Sequence, residues 1–417
     1  MTFSKVFHFF FDDLFSFFHE IAFEKEDRGK LSYGFVGTLI LVLTYGLIML
    51  FSASYATGYY RFHGDIYHFI RPQAGLAVLG LIFMYIISRI NYRSLRYLIK
   101  YLYILTLILL VWALYSEPYN GCYRWVYMFG TTFQPSEAAK FAVILGTATF
   151  TDEYHEKRGT LLYGVILPLL PVLPIIFLLY KEPHNSAIML IAAIAAIMMI
   201  CGGVMGKWLI PAGLAAMVLL GMMLTGQDNY VKQRLGAWNP FGGDNSEEML
   251  YQTKQSLYTI ASGGLTGLGI GNSRQKHLWL PEASNDFIFS VLCEELGFIG
   301  ALICIGLFVL LIFQGIKIAL NAPDYFGSML GIGIIAQVAS QTFFHIAVVT
   351  NSLPNTGISL PFFSSGGTSL VILLCEMGVV LSISRAGNAR KEAAEKRSRE
   401  RIAQRIRERK NAAAYNH

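Results

Sequence analysis

Long apolar stretches bounded by short polar punctuation recur about ten times along this chain, each long enough to cross a bilayer as a helix. They fall at 33–53, 74–90, 98–116, 136–152, 161–180, 186–203, 207–225, 287–314, 326–350 and 366–385. The fourth is short and carries Glu137 and Lys140 at its start. The pattern predicts an all-α polytopic membrane protein of about ten transmembrane helices. A polar stretch at 226–286, between the seventh and eighth helices, is too long for a simple connector. Ahead of the first span, in residues 1–32, Phe3, Phe7, Phe10, Leu14, Phe17 and Ile21 recur at three or four residues, opposite His8, Asp12 and Glu20. That is an amphipathic helix lying on the cytoplasmic leaflet or docked on a partner.

Composition agrees: 417 residues, 54% hydrophobic and only 14% charged. Lys and Arg placement sets the orientation. With a cytoplasmic N-terminus, Lys25, Arg28, Lys30, Arg89, Arg93, Arg96, Lys100, Lys157 and Arg158 fall inside, and the short outer loops carry only Arg61, Arg71, Arg124 and Lys181. Ten spans return the C-terminus to the cytoplasm. The net charge of +6 lies wholly in the tail 386–417, with ten Lys/Arg against four Glu. It therefore gives no ground for nucleic-acid binding by the core; the tail is a solvated basic segment or a contact for anionic headgroups or a cytoplasmic partner. Cys122, Cys201, Cys293, Cys304 and Cys375 are scattered, without metal-ligand spacing or a disulfide framework. The N-terminus lacks the basic start of a cleavable signal.

Every dense polar motif falls on the outer side of this topology. The most telling runs from Trp279 to Gly297, placing Asp286 at the mouth of an apolar helix and Glu294 and Glu295 inside it. Carboxylates in hydrocarbon are costly, and one at a helix mouth marks a functional site or a helix cap. Glu294, two turns below Asp286, reads as part of a packing network. Gly263-Gly264-Leu-Thr-Gly267-Leu-Gly269-Ile-Gly271, followed by Arg274, Lys276 and His277, reads equally as a phosphate cradle or a tight re-entrant turn. Gly202 to Lys207 lacks the spacing of a nucleotide P-loop, and neither His19-Glu20 nor His155-Glu156 has a second His at zinc-site spacing.

The motifs taken together resemble the SEDS family (shape, elongation, division and sporulation) of FtsW, RodA and SpoVE. They are Arg124-Trp125, Gln134-Pro-Ser-Glu137-x-x-Lys140, Glu182-Pro-His-Asn-Ser186, Tyr251-Gln252, Gln255-Ser256 and Gly263-Gly264. They continue with Leu280-Pro-Glu282-x-x-x-Asp286-Phe-Ile-Phe289, Glu294-Glu295-Leu-Gly297, and Thr356-Gly-Ile-Ser-Leu-Pro361 with Gly366-Gly367. Two positions depart: Ser284-Asn285 stand where many relatives have His-Thr or His-Asn, and Ser365 stands where a Tyr is frequent. The resemblance implies a peptidoglycan glycosyltransferase at the outer face of the bacterial cytoplasmic membrane. It would polymerise lipid II into β-1,4-linked glycan, inverting C1 of a donor held on undecaprenyl pyrophosphate. The implied partners are lipid II, nascent glycan, a class B penicillin-binding protein and other divisome or elongasome proteins. The Glu182 and Gly357 motifs look most like division- or sporulation-type members.

On that chemistry Asp286 is the expected general base on the acceptor GlcNAc 4-hydroxyl, strengthened by partial desolvation. Arg124 and Lys276 are expected to face the pyrophosphate, with or without a divalent cation (Mg²⁺ or Mn²⁺), and Arg234 reads as a surface residue. Glu137 and Lys140, three apart on one helix, form a structural ion pair or line the substrate cavity. Gln252 and Ser256, inside matched motifs, and Thr356, Ser364 and Thr368, as partners for sugar hydroxyls, complete the substrate-binding set. A lipid II flippase and a non-catalytic scaffold for the transpeptidase are the alternatives.

Overall fold

The computed structural model describes residues 29–116, 124–128, 131–204, 206–208, 238 and 247–415. The expected N-terminal amphipathic helix to residue 28, the span at 207–225 beyond Trp208, and Arg234 lie outside the described residues. Helices α1 (Tyr33–Arg61), α2 (Ile70–Ile87) and α3 (Leu95–Leu114) come first, and α3 is led by a 3₁₀ turn, Tyr92–Ser94. A short antiparallel pair, β1 (Val126–Met128) and β2 (Thr131–Phe133), precedes α4 (Pro135–Glu153). Then follow α5 (Leu162–Lys181, opening with a π turn), α6 (Asn185–Cys201), α7 (Glu247–Gly263), α8 (Ile288–Leu320), α9 (Tyr325–Val349) and α10 (Gly367–Tyr415). Among the described residues seven helices are long and apolar enough to cross a membrane: α1, α2, α3, α5, α8, α9 and α10, with α3 counted from its 3₁₀ turn.

The principal core joins Phe35 and Leu39 of α1, Leu292 and Phe308 of α8, Leu330 and Ile334 of α9, and Leu374 and Met377 of α10. A smaller cluster joins Leu110 of α3, Val143 of α4, Leu179 of α5 and Ile191 of α6. α4 is much less apolar than its neighbours, and it is buried through Ala139, Ala142, Ile144 and Ala148. Protein surrounds it where lipid surrounds an outer span, and its Glu137 and Lys140 pair with each other inside the bundle. Pro135 occupies its first turn, where a missing N–H costs nothing. By contrast Ile40, Leu41 and Ile48 of α1 and Ile82, Phe83 and Ile86 of α2 stay exposed, as lipid-facing residues do.

One element carries a break. Gly297, inside α8, has φ 66° and ψ −166°, a conformation essentially reserved for glycine. The backbone groups freed there are taken up by the segment after α7. Leu268 and Gly269 N–H donate to the Glu294 and Glu295 carbonyls at 2.9 Å each, and Phe298 and Ile299 N–H donate to Gly264 and Leu265. A Cβ on Gly267 would lie 2.2 Å from the Glu295 carbonyl oxygen, so glycine allows the approach. Of the two readings of the glycine-rich segment, the structure has the tight turn: Leu268 and Gly269 spend their N–H groups on the broken helix.

At the end of the bundle where α8 gives way to α9, Asp324 caps α9 by accepting from Gly327 N–H at 2.7 Å. It also accepts from Arg93 Nε at 2.8 Å and the Tyr92 hydroxyl at 2.5 Å. Burial alone would raise its carboxyl, but these donors hold it below the usual range. Beside it, Arg385 of α10 donates to the Gly29 and Ser88 carbonyls, and Asn388 donates to the Lys30 carbonyl. The expected basic tail is helical: α10 continues to Tyr415, and residues 390–406 are exposed.

Candidate active site

Four separate parts of the chain converge on a cavity of about 280 Å³ at the end of the bundle where α4, α6 and α8 begin. The approach to α4 supplies Arg124, Trp125 and Gln134, and its first turns supply Ser136, Glu137 and Lys140. The α5–α6 turn supplies His184 and Ser186, and the entry to α8 supplies Glu282, Asn285 and Asp286. The loop between α9 and α10 closes it with Gly357, Ile358, Ser359, Ser365 and Gly366, and Gln341 of α9 forms part of the wall.

Asp286 is half-buried and stands immediately before Phe287, the N-cap residue of α8. Its chain neighbours are clamped. Ser364 Oγ donates to the Asn285 carbonyl at 2.6 Å, Ser365 N–H donates to the Ser284 carbonyl at 3.0 Å, and Asn285 Nδ2 donates to Glu282 Oε2 at 2.6 Å. Across the cavity Gly357, with φ +66°, comes so close that a Cβ there would lie 3.0 Å from Asp286 Oδ2. Lys140 Nζ pairs with Glu137 Oε2 at 2.9 Å and donates to Gln341 Oε1 at 3.2 Å. The pair is thus both an ion pair and part of the cavity wall.

Arg124 donates through Nη2 to the Pro183 carbonyl at 3.0 Å. Behind it, Glu182 is 1% exposed, and neither carboxyl oxygen has a hydrogen bond among the described residues. Burial pushes Glu182 up to about 8, against the opposing pull of Arg124. Gln134 Nε2 lies 3.5 Å from His184 Nε2 on the same wall.

The structure thus brings Asp286, Arg124, Glu137 and Lys140 together, and it places the other expected residues elsewhere. Lys276, expected at a pyrophosphate, is buried away from the cavity. Its ammonium is 2.8 Å from Glu295 Oε1 and donates to Ser52, which also donates to Glu295. Removing one partner of such a buried pair costs roughly 3–5 kcal/mol, so Lys276 acts on the fold. Glu294, fully buried, accepts from Ser262, Ser273 and the Arg274 and Gln275 N–H groups, the packing network anticipated for it. Ser256 is buried between Ser290 and the Val349 carbonyl, and Gln252 accepts from Asn355. Ser364 is the clamp on Asn285 rather than a cavity-facing hydroxyl, and Thr368 donates to the Thr132 carbonyl. Thr356 offers its carbonyl to Ser186, outside the cavity lining, and its hydroxyl has no hydrogen bond among the described residues.

Sequence reasoning missed Gln341, Gln337 and Glu376. Gln337, Gln341 and His345 recur every four residues through an apolar span, a polar stripe on one face of α9 that the period alone could have revealed. Among the described residues no three carboxylate, imidazole or thiolate groups gather as a ready-made metal site.

Residues 33–389 match the model of the FtsW/RodA/SpoVE family, described as cell cycle protein. Stage V sporulation protein E of Bacillus subtilis is 35% identical over 353 residues, covering 83% of this chain and 94% of that protein. A probable peptidoglycan glycosyltransferase FtsW of Geobacter sulfurreducens is 33% identical over 351 residues, covering 83% and 92%. Among solved structures, a chain of a peptidoglycan synthase complex that coordinates polymerization and crosslinking superposes with a TM-score of 0.71 at 24% identity, covering 86% of this chain and 98% of that one. The rod shape determining protein RodA of Thermus thermophilus superposes with a TM-score of 0.63 at 25% identity, covering 85% and 97%.

Proposed function

The chain belongs to the FtsW/RodA/SpoVE family of cell cycle proteins, and from that membership we propose that it is an integral-membrane peptidoglycan glycosyltransferase that polymerises lipid II. The observation that carries the reading is one cavity holding a half-buried carboxylate, Asp286, together with two cations, Arg124 and Lys140.

A sugar hydroxyl is a weak nucleophile at neutral pH. Asp286 takes the proton of the acceptor 4-hydroxyl as the oxygen attacks C1 of the donor, a contribution of roughly 10²–10⁴-fold. The C1–O bond to undecaprenyl pyrophosphate breaks as the new β-1,4 bond forms on the opposite face, so C1 inverts. Charge grows on the leaving pyrophosphate, and Arg124 and Lys140 are the cations placed to meet it. A divalent cation carried in on that pyrophosphate needs only one or two carboxylates. Asp286, Glu137 and Glu282 are the carboxylates of the cavity lining that would hold it, and the ion would add charge for the leaving group. The cavity faces outward, both termini are cytoplasmic, and a class B penicillin-binding protein crosslinks the product.

The purified protein, with class B partners and labelled lipid II in Mg²⁺ or Mn²⁺, tests this. Wild type is expected to make polymer and a well-folded Asp286→Ala to make none. Equal polymer from both would remove Asp286 as the base. No polymer from either, with every partner and metal, would favour lipid transport or scaffolding.

A further inference from the structure

Three buried polar side chains follow one another a turn apart on α9, and they serve different neighbours. Gln337 donates to Glu376 Oε2 at 2.8 Å, and neither residue lines the cavity. Gln341 does line it. Its Oε1 accepts from Lys140, and its Nε2 donates to the Ser359 carbonyl at 3.1 Å and to Ser359 Oγ at 3.2 Å. His345 is fully buried and stands outside the cavity lining. Its Nδ1 lies 2.7 Å from the Ile358 carbonyl oxygen, which can only accept, so Nδ1 carries the proton. Nε2 is buried and has no hydrogen bond among the described residues. What this imidazole holds is therefore the loop that closes the cavity.

That loop carries Gly357, whose left-handed backbone, at φ +66°, stands against Asp286 Oδ2. With no side chain of its own, Gly357 takes its place from its neighbours. Its N–H donates to Asn355 Oδ1 at 3.2 Å. The carbonyls on either side of it are held by separate helices: Thr356 accepts from Ser186 of α6, and Ile358 accepts from His345 of α9. Ser186 and Gln341 line the cavity and can touch what enters it. His345 acts only through the loop. We infer that His345 is a positioning residue for the reaction at Asp286: its Nδ1–H anchors the Ile358 carbonyl and so keeps Gly357 in register with Asp286 Oδ2. An unanchored loop would slide over the carboxylate or away from it, and a misplacement of about 1 Å can cost roughly 10²-fold in rate.

Matched substitutions test this. The activity arm rests on the glycosyltransferase reading, and the exchange arm does not. Asn places its Nδ2 where His has Nδ1, and Leu has the shape of Asn without the donor. Both are smaller than His, so they share the packing loss. His345→Leu is expected to lower kcat with lipid II by roughly tenfold to a hundredfold. KM should stay within about twofold, because a misplaced base weakens the transition state and not ground-state binding. His345→Asn is expected to recover most of that kcat. His345→Gln, whose amide reaches the Nε2 position instead, is expected to behave like Leu. In detergent, amide hydrogen exchange across 355–359 should quicken about tenfold in His345→Leu and stay near the wild-type rate in His345→Asn. Wild-type kcat or wild-type exchange in His345→Leu, a loss confined to KM, or Asn no better than Leu and Gln overturns the inference and leaves His345 a packing residue. If wild type makes no polymer, the glycosyltransferase reading fails, and exchange alone decides whether His345 holds the loop.

Discussion

Glu182 shows how one buried carboxyl can set the charge of a cavity it does not line. Below about pH 8 it keeps its proton, because burial outweighs the pull of Arg124, and the Arg124 guanidinium faces the cavity with its charge uncancelled. As pH rises through that value the carboxyl ionises and Arg124 is neutralised from behind. Polymerisation by wild type is therefore expected to fall above about pH 8, while Glu182→Gln keeps its rate across that range. A pH–rate profile of both proteins checks this, and identical falling limbs would assign the limb to another group. At this scale the sequence was informative where a residue's role is local. Asp286, Arg124, Glu137 and Lys140 lie in motifs beside the cavity and meet there. Lys276 was misread because its partners, Glu295 and Ser52, are distant in sequence; an ammonium free in the sequence is engaged in the fold. Glu376 was missed because a single acid in an apolar run has no spacing to betray it.

Among elements, α8 departs most from what its apolar pattern predicts. Hydropathy reads 287–314 as one span, and nothing in a periodic count signals that the helix reverses its local geometry at Gly297. The signal lay in glycines at 263, 264, 267 and 297, whose shared purpose appears only when the segments meet. Gly297→Ala is expected to be severely destabilising. Its Cβ would lie 2.4 Å from Gly267 N and 2.5 Å from the Leu265 carbonyl oxygen, and the backbone strain alone is worth about 1–3 kcal/mol. A large drop in the detergent melting temperature measures it; a melt like that of wild type would mean the helix can close without the break. The short fourth span was legible in position but not in kind, since hydropathy cannot distinguish a helix facing lipid from one surrounded by protein.

For the whole molecule, the ends of the described bundle are locked to each other. Arg385 joins Gly29 to Ser88, and Asn388 holds the Lys30 carbonyl. The helix beyond Arg390 carries the net charge and is exposed to residue 406. Removing residues 391–417 is therefore expected to leave the melting temperature unchanged. Arg385→Ala should lower stability by roughly 1–3 kcal/mol, the cost of buried carbonyls losing their donor. A truncation that melts as low as Arg385→Ala would place the stabilising contact in the tail. The same lock makes the membrane domain nearly a closed ring in space, with its first described residue resting against its last buried turn. New chain ends could then be cut at a loop such as 62–69 with residues 29 and 388 joined, and a single binder touching that spot would read both ends of the described bundle at once.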